Sequence, residues 1–323
     1  TSYLSQRQKN DAWAVFGSIN YDLSSDLKLR TGLRYTDDKK TFNTLDGYTT
    51  PSSKTISGNK VTEDVSLTYK LNSDTSVYAR AATGFRGGSF AFSGNGTVTS
   101  ADPETTTSYE AGIKADLLDR KARVSFSVFN YDVKNQQLTA VGGSANTTAL
   151  INAKKSNGQG FELEAEALVS SNLKLSLGLS YNDTQIKDAD LRVPICGSGK
   201  CTPLDPISTI GASPTKYASI NGNPLPQAPK WISTGSARYS MPMGNNNELY
   251  LLADVSYRSK INFFLYESVE FTGKALTEVG LKLGYNWGGG KYEASVFCRN
   301  CSDQIRATGG IDFNNLTGFI NDP

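Results

Sequence analysis

The stretch Leu173-Lys174-Leu175-Ser176-Leu177-Gly178-Leu179-Ser180-Tyr181 decides the fold. Large apolar residues alternate with small or polar ones, so successive side chains of an extended chain point to opposite faces. The same alternation occurs at Leu27–Tyr35 and at Val279–Trp287. These patterns predict β-strands that have one apolar face and one polar face.

Twelve segments of this kind follow one another along the chain, and nearly all are long. A tilted membrane-spanning strand needs about 9–11 residues, whereas strands of soluble domains average about 5–6. No apolar run exceeds five residues, which excludes a transmembrane helix. The sequence therefore predicts an all-β fold, an antiparallel transmembrane β-barrel. The segments cover residues 11–22, 26–42, 59–71, 75–86, 105–117, 121–139, 152–169, 172–187, 228–240, 247–260, 273–287 and 291–306.

The connections between these segments alternate between short turns and long links. Outer-membrane barrels have this arrangement, with short turns in the periplasm and long loops outside the cell. Tyrosine and tryptophan flank the short turns, where an interfacial girdle is expected. The long links are residues 43–58, 87–104, 140–151, 188–227 and 261–272.

Composition excludes several classes of function. The chain of 323 residues has 33 Lys+Arg, 31 Asp+Glu and no histidine. Without histidine no Ser-His-Asp or Cys-His triad is possible, and a net charge of +2 gives no basic footprint for nucleic acid. No metal cluster or phosphate-binding loop is visible either. We therefore predict no enzymatic activity, no cofactor, no metal site and no nucleic-acid partner.

The polar faces of the strands carry many charged residues. In hydrocarbon such side chains would cost up to about 2–4 kcal/mol each, so the polar face is expected to be a lumen. For the row Glu162, Glu164 and Glu166 we expect structural pairing with basic residues, rather than a cation site. The predicted lumen-facing residues are Arg30, Arg34, Arg80, Glu110, Lys114, Glu162, Glu164, Glu166, Arg238, Asp254 and Arg258.

Aromatic residues in two long links are candidates for ligand binding. Apolar side chains on exterior loops either stack on one another or present a binding surface, and the sequence leaves both possibilities open. The candidates are Phe85, Arg86, Phe90 and Phe92, in the Gly-rich stretch 84–96 where a strand meets a link, and Phe263, Phe264 and Tyr266 in another link.

The four cysteines form two close pairs. Cys196 and Cys201 lie in the longest link, where an oxidising exterior favours a disulfide. Cys298 and Cys301 lie within a predicted strand, where three extended residues would separate their Cα atoms by about 10 Å. That separation exceeds the limit for a disulfide of roughly 7 Å, so we expect this second pair to be unpaired unless a bulge or turn intervenes.

Several motifs resemble TonB-dependent outer-membrane receptors, the plugged active importers of Gram-negative bacteria. Their order along the chain matches the family, and together they cover nearly all of it. Near residue 301 the family has Asn-Leu-x-Asp, with Cys301 here in place of leucine. The matching stretches are residues 76–86 (SVYARAATGFR), 103–105 (PET), 109–114 (YEAGIK), 157–164 (NGQGFELE), 223–230 (NPLPQAPK) and 299–303 (RNCSD).

The resemblance implies a barrel of 22 strands, of which this chain would supply strands 10 to 21. Residues 1–323 would then be part of the barrel domain, and the plug, its TonB box and the last strand would lie outside the chain. The whole protein would bind a siderophore, vitamin or carbohydrate and import it with energy from TonB. The charged lumen positions would contact the plug. The implied partners are outer-membrane lipid, the small-molecule ligand and TonB through the plug, and the receptor is expected to be a monomer.

The main alternative is a self-contained twelve-stranded barrel, acting as a passive pore or an autotransporter translocator. Twelve is an even, closable number of strands. The alternation of short turns and long links argues against this alternative, because both ends of such a barrel would lie on the side of the long loops. A twelve-stranded phospholipase lacks its usual histidine base, and a secreted adhesin is inconsistent with the strand lengths.

Overall fold

Twelve antiparallel strands, paired in the order in which they follow one another along the chain, form one sheet in the computed structural model. The structure describes residues 4–45, 47, 52–93, 96–143, 147–211, 215–312 and 320–321. Among these residues no helix is long and apolar enough to cross a membrane. The strands are β1 (Gln6–Asp22), β2 (Leu27–Thr44), β3 (Ser53–Lys70), β4 (Thr75–Arg86), β5 (Glu104–Leu117), β6 (Ala122–Gly142), β7 (Thr147–Leu168), β8 (Leu173–Ile186), β9 (Trp231–Met243), β10 (Asn247–Arg258), β11 (Leu276–Trp287) and β12 (Tyr292–Cys298).

The register keeps most apolar and polar residues on separate faces through the middle of the sheet. Leu177 of β8 pairs with Ala165 of β7 and Gly235 of β9, whereas the next residue, Gly178, pairs with Glu164 and Thr234. Leu177 is 48% exposed although it belongs to the apolar face. Exposure of a continuous apolar face is the arrangement of a sheet that contacts lipid. The prediction of an all-β, antiparallel membrane sheet is confirmed.

The sheet is open in the part of the chain that the structure describes. Strands β1 and β12 lie at its two edges, and each pairs with one neighbour only. The short connections Leu23–Asp26, Leu71–Asp74 and Gly288–Lys291 all lie at one end of the sheet, and the long links lie at the other. We call the second end the outer end.

Several strand boundaries differ from the prediction. The predicted link 140–151 is largely strand, because β6 continues to Gly142 and β7 begins at Thr147. Beyond the membrane these strands are covered by other loops, so period-two alternation is no longer required there. At the other end of the chain β12 stops at Cys298, eight residues before the predicted limit of 306.

The long links fold into a second layer at the outer end, which we call the loop layer. Ser89–Phe92 pairs with Val98–Ala101, and Lys216–Ser219 pairs with both Arg192–Pro194 and Ile207–Thr209. Ile261–Asn262 pairs with Thr272–Gly273, and Ile311–Asp312 pairs with Ile320–Asn321. The main core of the molecule lies here, between the extended ends of β6 to β8 and the links. It consists of Leu138, Ala140, Ala153, Ile186, Val193, Ile195, Ala218, Ile220, Leu265 and Tyr266.

Candidate functional site

All eleven predicted lumen residues lie on the polar face of the sheet. Cross-strand pairs share a face, and the register places Arg30, Ser66, Arg80 and Glu110 in one row. Lys114 and Glu164 belong to another row, since both pair with Ser125. The alternation along each strand places the other six residues on the same face. They are Arg34, Glu162, Glu166, Arg238, Asp254 and Arg258. The geometry thus forms one continuous charged wall.

The first charged group on this wall joins β3, β4 and β5. The Arg80 guanidinium donates to the Asp64 carboxylate, with a shortest distance of 2.5 Å. The Tyr78 hydroxyl donates to Glu110, which is the cross-strand partner of Arg80. Each charge therefore has a partner within the wall.

A second charged group spans β9 to β12. Arg238 donates two parallel hydrogen bonds to Glu248, at 3.0 and 2.9 Å, and its guanidinium lies 4.3 Å from the centre of the Tyr250 ring. The Tyr250 hydroxyl donates to Glu293 at 2.7 Å, and Lys282 donates to the same carboxylate at 2.6 Å. Two cations and two anions are thus mutually satisfied across four strands.

The acidic row on β7 is only partly paired. Lys174 lies 3.0 Å from Glu166, which meets the expectation for that residue. Glu162 and Glu164 face Ser127 and Ser125 across the β6–β7 pair, and neither makes an ion pair with a residue that the structure describes. These two carboxylates remain available to a partner in the lumen.

Sequence reasoning missed the aromatic rings that lie flat against the polar wall. The rings of Tyr78 and Tyr250 cover their cross-strand glycines, Gly112 and Gly284. Phe129 and Tyr131 cover Gly160 and Gly158 in the same way. Only the register brings each ring onto its glycine, so a single-strand pattern could not reveal the pairs.

In the loop layer two residues of the second group of predicted ligand residues are buried and the third, Phe264, is half-buried. Phe263 and Tyr266 are 8% and 2% exposed, and the Phe264 ring packs on Tyr266 and Phe271, with ring centres 5.7 and 4.6 Å apart. Burial raises the pKa of the Tyr266 hydroxyl above its usual value. The structure thus shows Phe263 and Tyr266 packed on other residues, the first of the two possibilities that the sequence leaves open, and both side chains form the core that holds the loops together.

The first group of predicted ligand residues is more accessible. Phe92 is 48% exposed, and the Arg86 side chain is 62% exposed with its guanidinium 3.6 Å from Glu104. Phe90 packs on Phe42 at a ring distance of 5.4 Å. Phe85 contacts Gly58, where a methyl group would lie 3.3 Å from its ring. Arg86 and Phe92 are therefore the candidates that reach solvent at the mouth.

A half-buried carboxylate ties two of the long links together. Asp205 accepts hydrogen bonds at one oxygen, Oδ2, from the Asn223 side chain at 2.8 Å and from the Glu267 backbone at 2.7 Å. Burial raises the pKa of Asp205 above its usual value, against the effect of these two donors. Asn223 also donates to the Leu265 carbonyl at 3.1 Å, so the link 187–230 is fixed to the link 259–275.

Both cysteine pairs are joined. Cys196 and Cys201 have Cα atoms 6.3 Å apart and close a short ring in the loop layer. Cys298 and Cys301 are also joined, with Cα atoms 5.6 Å apart, so the expectation of unpaired thiols is wrong. The reason is a bulge: Cys298 pairs with Leu281, Cys301 bonds through its N–H to the Val279 carbonyl, and Asn300 adopts a φ of 47°.

No group of three or more metal-binding side chains occurs among the residues that the structure describes. The predicted site residues therefore divide into a charged inner wall and a loop layer with two accessible candidates.

The curated relatives match only part of the chain. The "Probable TonB-dependent siderophore receptor PiuA" of Acinetobacter baumannii is 25% identical over 183 residues, which are 54% of this chain and 22% of the relative. The "Metal-pseudopaline receptor CntO" of Pseudomonas aeruginosa is 24% identical over 188 residues, 58% of this chain and 24% of the relative. The matched residues thus span about a quarter of the length of these relatives.

Solved structures match nearly the whole chain. The ferric yersiniabactin uptake receptor FyuA of Yersinia pestis has a TM-score of 0.73 at 17% identity, over 95% of this chain and 43% of that one. The siderophore receptor PiuA of A. baumannii has a TM-score of 0.68 at 19% identity, over 94% of this chain and 41% of that one. At such identities the likeness shows the fold, and the chain covers less than half of each receptor.

The sequence profile described as "TonB dependent receptor-like, beta-barrel" matches residues 1–316. This match covers almost the entire chain and agrees with the strand order, the charged wall and the loop layer. The chain belongs to the family of TonB-dependent receptor-like β-barrels, which lie in the outer membrane of Gram-negative bacteria.

Proposed function

We propose that this chain is the larger part of the barrel wall of an importer that captures a siderophore and takes it up with energy from the TonB system. The observation that carries the proposal is the combination of a charged lumen wall with a folded loop layer, in a chain of this family. The two relatives PiuA and CntO are named as receptors for a siderophore and for metal-pseudopaline. These names support the choice of a metal-chelating ligand over a vitamin or a carbohydrate.

In this function the polar wall faces a plug domain supplied by the rest of the receptor. Glu162 and Glu164, which lack ion-pair partners in the described residues, would contact basic groups on the plug. The two internally satisfied groups, around Arg80 and Arg238, would form rigid parts of the wall along which the plug moves. TonB would act on the plug, and this chain would not contact TonB directly.

The alternative of a self-contained twelve-stranded pore requires β1 to pair with β12. In the described residues neither edge strand has the other as a neighbour. The geometry therefore supports a larger barrel, in which ten more strands complete the wall. We propose that this receptor acts as a monomer and has no enzymatic activity.

The test is uptake of iron by cells that depend on the complete receptor. A strain without its other siderophore receptors is supplied with single radiolabelled ferric siderophores, in the presence and absence of TonB. Uptake of at least one chelate is expected, with its loss when either the receptor or TonB is deleted. Uptake that persists without TonB would instead support a passive pore. Saturable, TonB-dependent uptake of a metal-free compound, without uptake of any ferric siderophore, would show that the imported ligand is not a siderophore.

A further inference from the structure

The second cysteine pair lies on the apolar face of the sheet, at the end of β12. Cys298 pairs with Leu281 of β11, and two residues earlier on the same face Val296 pairs with Leu283. Cys298, Leu281 and Val296 are all exposed, as residues that contact lipid are in a membrane sheet. Because Cys298 is joined to Cys301, the bridge between them belongs to this face. The bridge therefore faces lipid and not the lumen.

A bulge of one residue brings Cys301 onto the apolar face. In an unbroken ladder Asn300 would be the partner of Val279, because Cys298 is the partner of Leu281. Instead, Cys301 donates its backbone N–H to the Val279 carbonyl at 2.8 Å. A shift of one residue exchanges the two faces of a strand, so Cys301 takes the face that Asn300 would have had. The bridge thus holds one of two registers at the end of β12.

The register also gives the depth of the bridge in the membrane. On β11, Leu281 lies four residues outward from Tyr285 and four residues inward from Thr277, the partner of Tyr257. Tyr285 and Tyr257 lie on the apolar face near the two ends of the sheet, where tyrosine marks the membrane interface. Four residues span about 13 Å along a strand, or about 10 Å of depth at the usual tilt, and the apolar band is about 25 Å tall. Leu281 and its partner Cys298 therefore lie near the middle of the hydrocarbon.

The turn that carries the bridge makes hydrogen bonds within itself. The Asn300 side chain donates to the Gln304 carbonyl and accepts from the Gln304 N–H, both at 2.9 Å. The Asp303 N–H donates to the Asn300 carbonyl, also at 2.9 Å. Irregular backbone at membrane depth is tolerated only where its polar groups are satisfied. These bonds and the bridge therefore suit the turn to its position below the outer interface.

The two bridges of this chain differ in their access to water. A cavity of about 260 Å³ opens beside Cys196 and Cys201 in the loop layer, so water-soluble reagents can reach that pair. Exchange between thiols and disulfides begins with the attack of a thiolate, and charged groups are costly on the lipid face of a barrel. Neither reduction nor oxidation by a water-soluble reagent is therefore favourable at Cys298 and Cys301 once β12 is in the membrane.

We propose that Cys298 and Cys301 are a substrate site for a periplasmic thiol oxidase, which closes the bridge before β12 enters the outer membrane. The two cysteines are three residues apart, and the periplasm is oxidising. One cysteine thiolate attacks the disulfide of the oxidase, and the second then displaces the oxidase from the mixed disulfide. The oxidase leaves as a dithiol, having accepted two electrons and two protons from the pair. The bulged register is thus fixed before the strand is inserted, whichever ligand the receptor imports.

The first test follows oxidation and folding in cells that make the complete receptor. The variant Cys196→Ser/Cys201→Ser keeps the second pair alone, so free thiols report on Cys298 and Cys301. Newly made chains are pulse-labelled, their thiols are trapped with a maleimide, and folded barrels are recognised by heat-dependent gel mobility. The bridge is expected in chains that have not yet folded, and these chains should keep free thiols in a strain without the oxidase. Folded barrels that first carry free thiols and oxidise later would overturn the proposal, as would equally fast oxidation without the oxidase.

The second test measures access to both bridges of the wild-type receptor in isolated outer membranes. A phosphine and water convert a disulfide into two thiols and a phosphine oxide, and mass spectrometry counts the alkylated thiols of each pair. Each rate is divided by the rate for the same pair in heat-unfolded receptor. With a charged phosphine, Cys298–Cys301 is expected to be protected at least about tenfold more than Cys196–Cys201.

An apolar phosphine that enters the bilayer provides the matched control. It is expected to remove the difference in protection between the two bridges, because lipid no longer excludes the reagent. Equal protection of the two bridges against the charged phosphine would overturn the position of Cys298–Cys301 in the membrane. A difference that persists with the apolar phosphine would also overturn this position, since the tight turn alone would then shield the bridge.

Discussion

The ring of Tyr78 lies flat on Gly112, its direct partner on the neighbouring strand. A methyl group at Gly112 would lie 2.6 Å from Cε1 of Tyr78 and 2.7 Å from the Phe126 carbonyl oxygen. The Tyr78 hydroxyl thereby reaches along the wall to Glu110 instead of projecting into the lumen. Tyr250 has the same relationship to Gly284 and reaches Glu293. Glycine on one strand thus determines the direction of a phenol and, through it, the position of a carboxylate.

The first prediction concerns these glycines. Gly112→Ala and Gly284→Ala should each destabilise the complete receptor by about 1–3 kcal/mol, because the ring must leave its place on the wall. Gly84→Ala is the matched control, since Gly84 lies on the same polar face and an added methyl group there would lie 3.5 Å from its nearest neighbouring atom. Thermal unfolding in detergent, followed by gel mobility, provides the measurement. Equal unfolding temperatures for the Gly112 and Gly84 variants would contradict the role of the ring.

The sequence predicted the sheet well because a membrane sheet obeys one strict rule. Each residue between the two interfaces faces either lipid or lumen, so Leu173 to Tyr181 could be assigned to faces directly. The rule ends where loops cover both faces, and the outer ends of β6 and β7 therefore lack the alternation that predicts a strand. The burial of Phe263 and Tyr266 could not be predicted for a related reason, because a sequence pattern does not show whether aromatic side chains of a loop pack on one another or face solvent.

A second prediction concerns the two hydrogen bonds between Arg238 and Glu248. The pair is partly exposed, with side-chain exposures of 36% and 28%, so screening reduces its strength. A double-mutant cycle with Arg238→Met and Glu248→Gln should give a coupling free energy of about 0.5–2 kcal/mol, since parallel bonds are stronger than a single surface contact. The coupling should fall as salt is raised. The pair Lys9 and Asp11, 2.9 Å apart on an exposed edge strand, is the control and should show less coupling.

A third prediction concerns the pH dependence of the loop layer. The pKa of Asp205 is raised by burial, so the protonated carboxyl is favoured in the folded state. The stabilisation that the protonated Asp205 carboxyl contributes is therefore complete below the pKa of an unfolded aspartate, about 3.9. It is lost as the pH rises through the pKa of Asp205 in the folded protein. The ionised carboxylate opposes folding of the loop layer at neutral pH.

The variant Asp205→Asn separates this charge from its hydrogen bonds. Both donors contact one oxygen of Asp205, so the amide oxygen of asparagine can accept both bonds without the buried charge. At pH 7.5 it should protect residues 203–207 and 262–267 from hydrogen exchange more than the wild type, and the difference should shrink toward pH 4. Asp205→Ala leaves both donors unsatisfied and should destabilise the layer by about 1–3 kcal/mol at both pH values. Lower protection in Asp205→Asn at pH 7.5 would show that the charge itself is required.

A fourth prediction concerns the short ring closed by Cys196 and Cys201. Within the ring the Ser198 N–H donates to Asp312 at 2.8 Å, and Cys196 is buried beside Phe263 and Phe271. Cys196→Ser/Cys201→Ser should therefore loosen the loop layer, seen as faster proteolysis of residues 196–205, while barrel unfolding is unchanged. Cys298→Ser/Cys301→Ser is the control, because this pair joins the end of β12 to the bulge just after it, outside the loop layer. Equal proteolysis of the two double variants would contradict a specific role for the ring.

The last prediction tests the accessible candidates at the mouth. Arg86 and Phe92 reach solvent, whereas Tyr266 is enclosed in the core, so only the first two can contact a ligand directly. Arg86→Ala and Phe92→Ala should each weaken binding of the imported ferric siderophore by about tenfold, a typical loss at an important contact, without changing the unfolding temperature. Tyr266→Phe is the matched control. It keeps the packed ring and removes a hydroxyl that contacts the Cys196 backbone, so it should affect loop stability more than ligand affinity. If Tyr266→Phe weakens binding as much as Phe92→Ala while the loop layer stays intact, the ligand must reach deeper into the loop layer than the exposed side chains indicate.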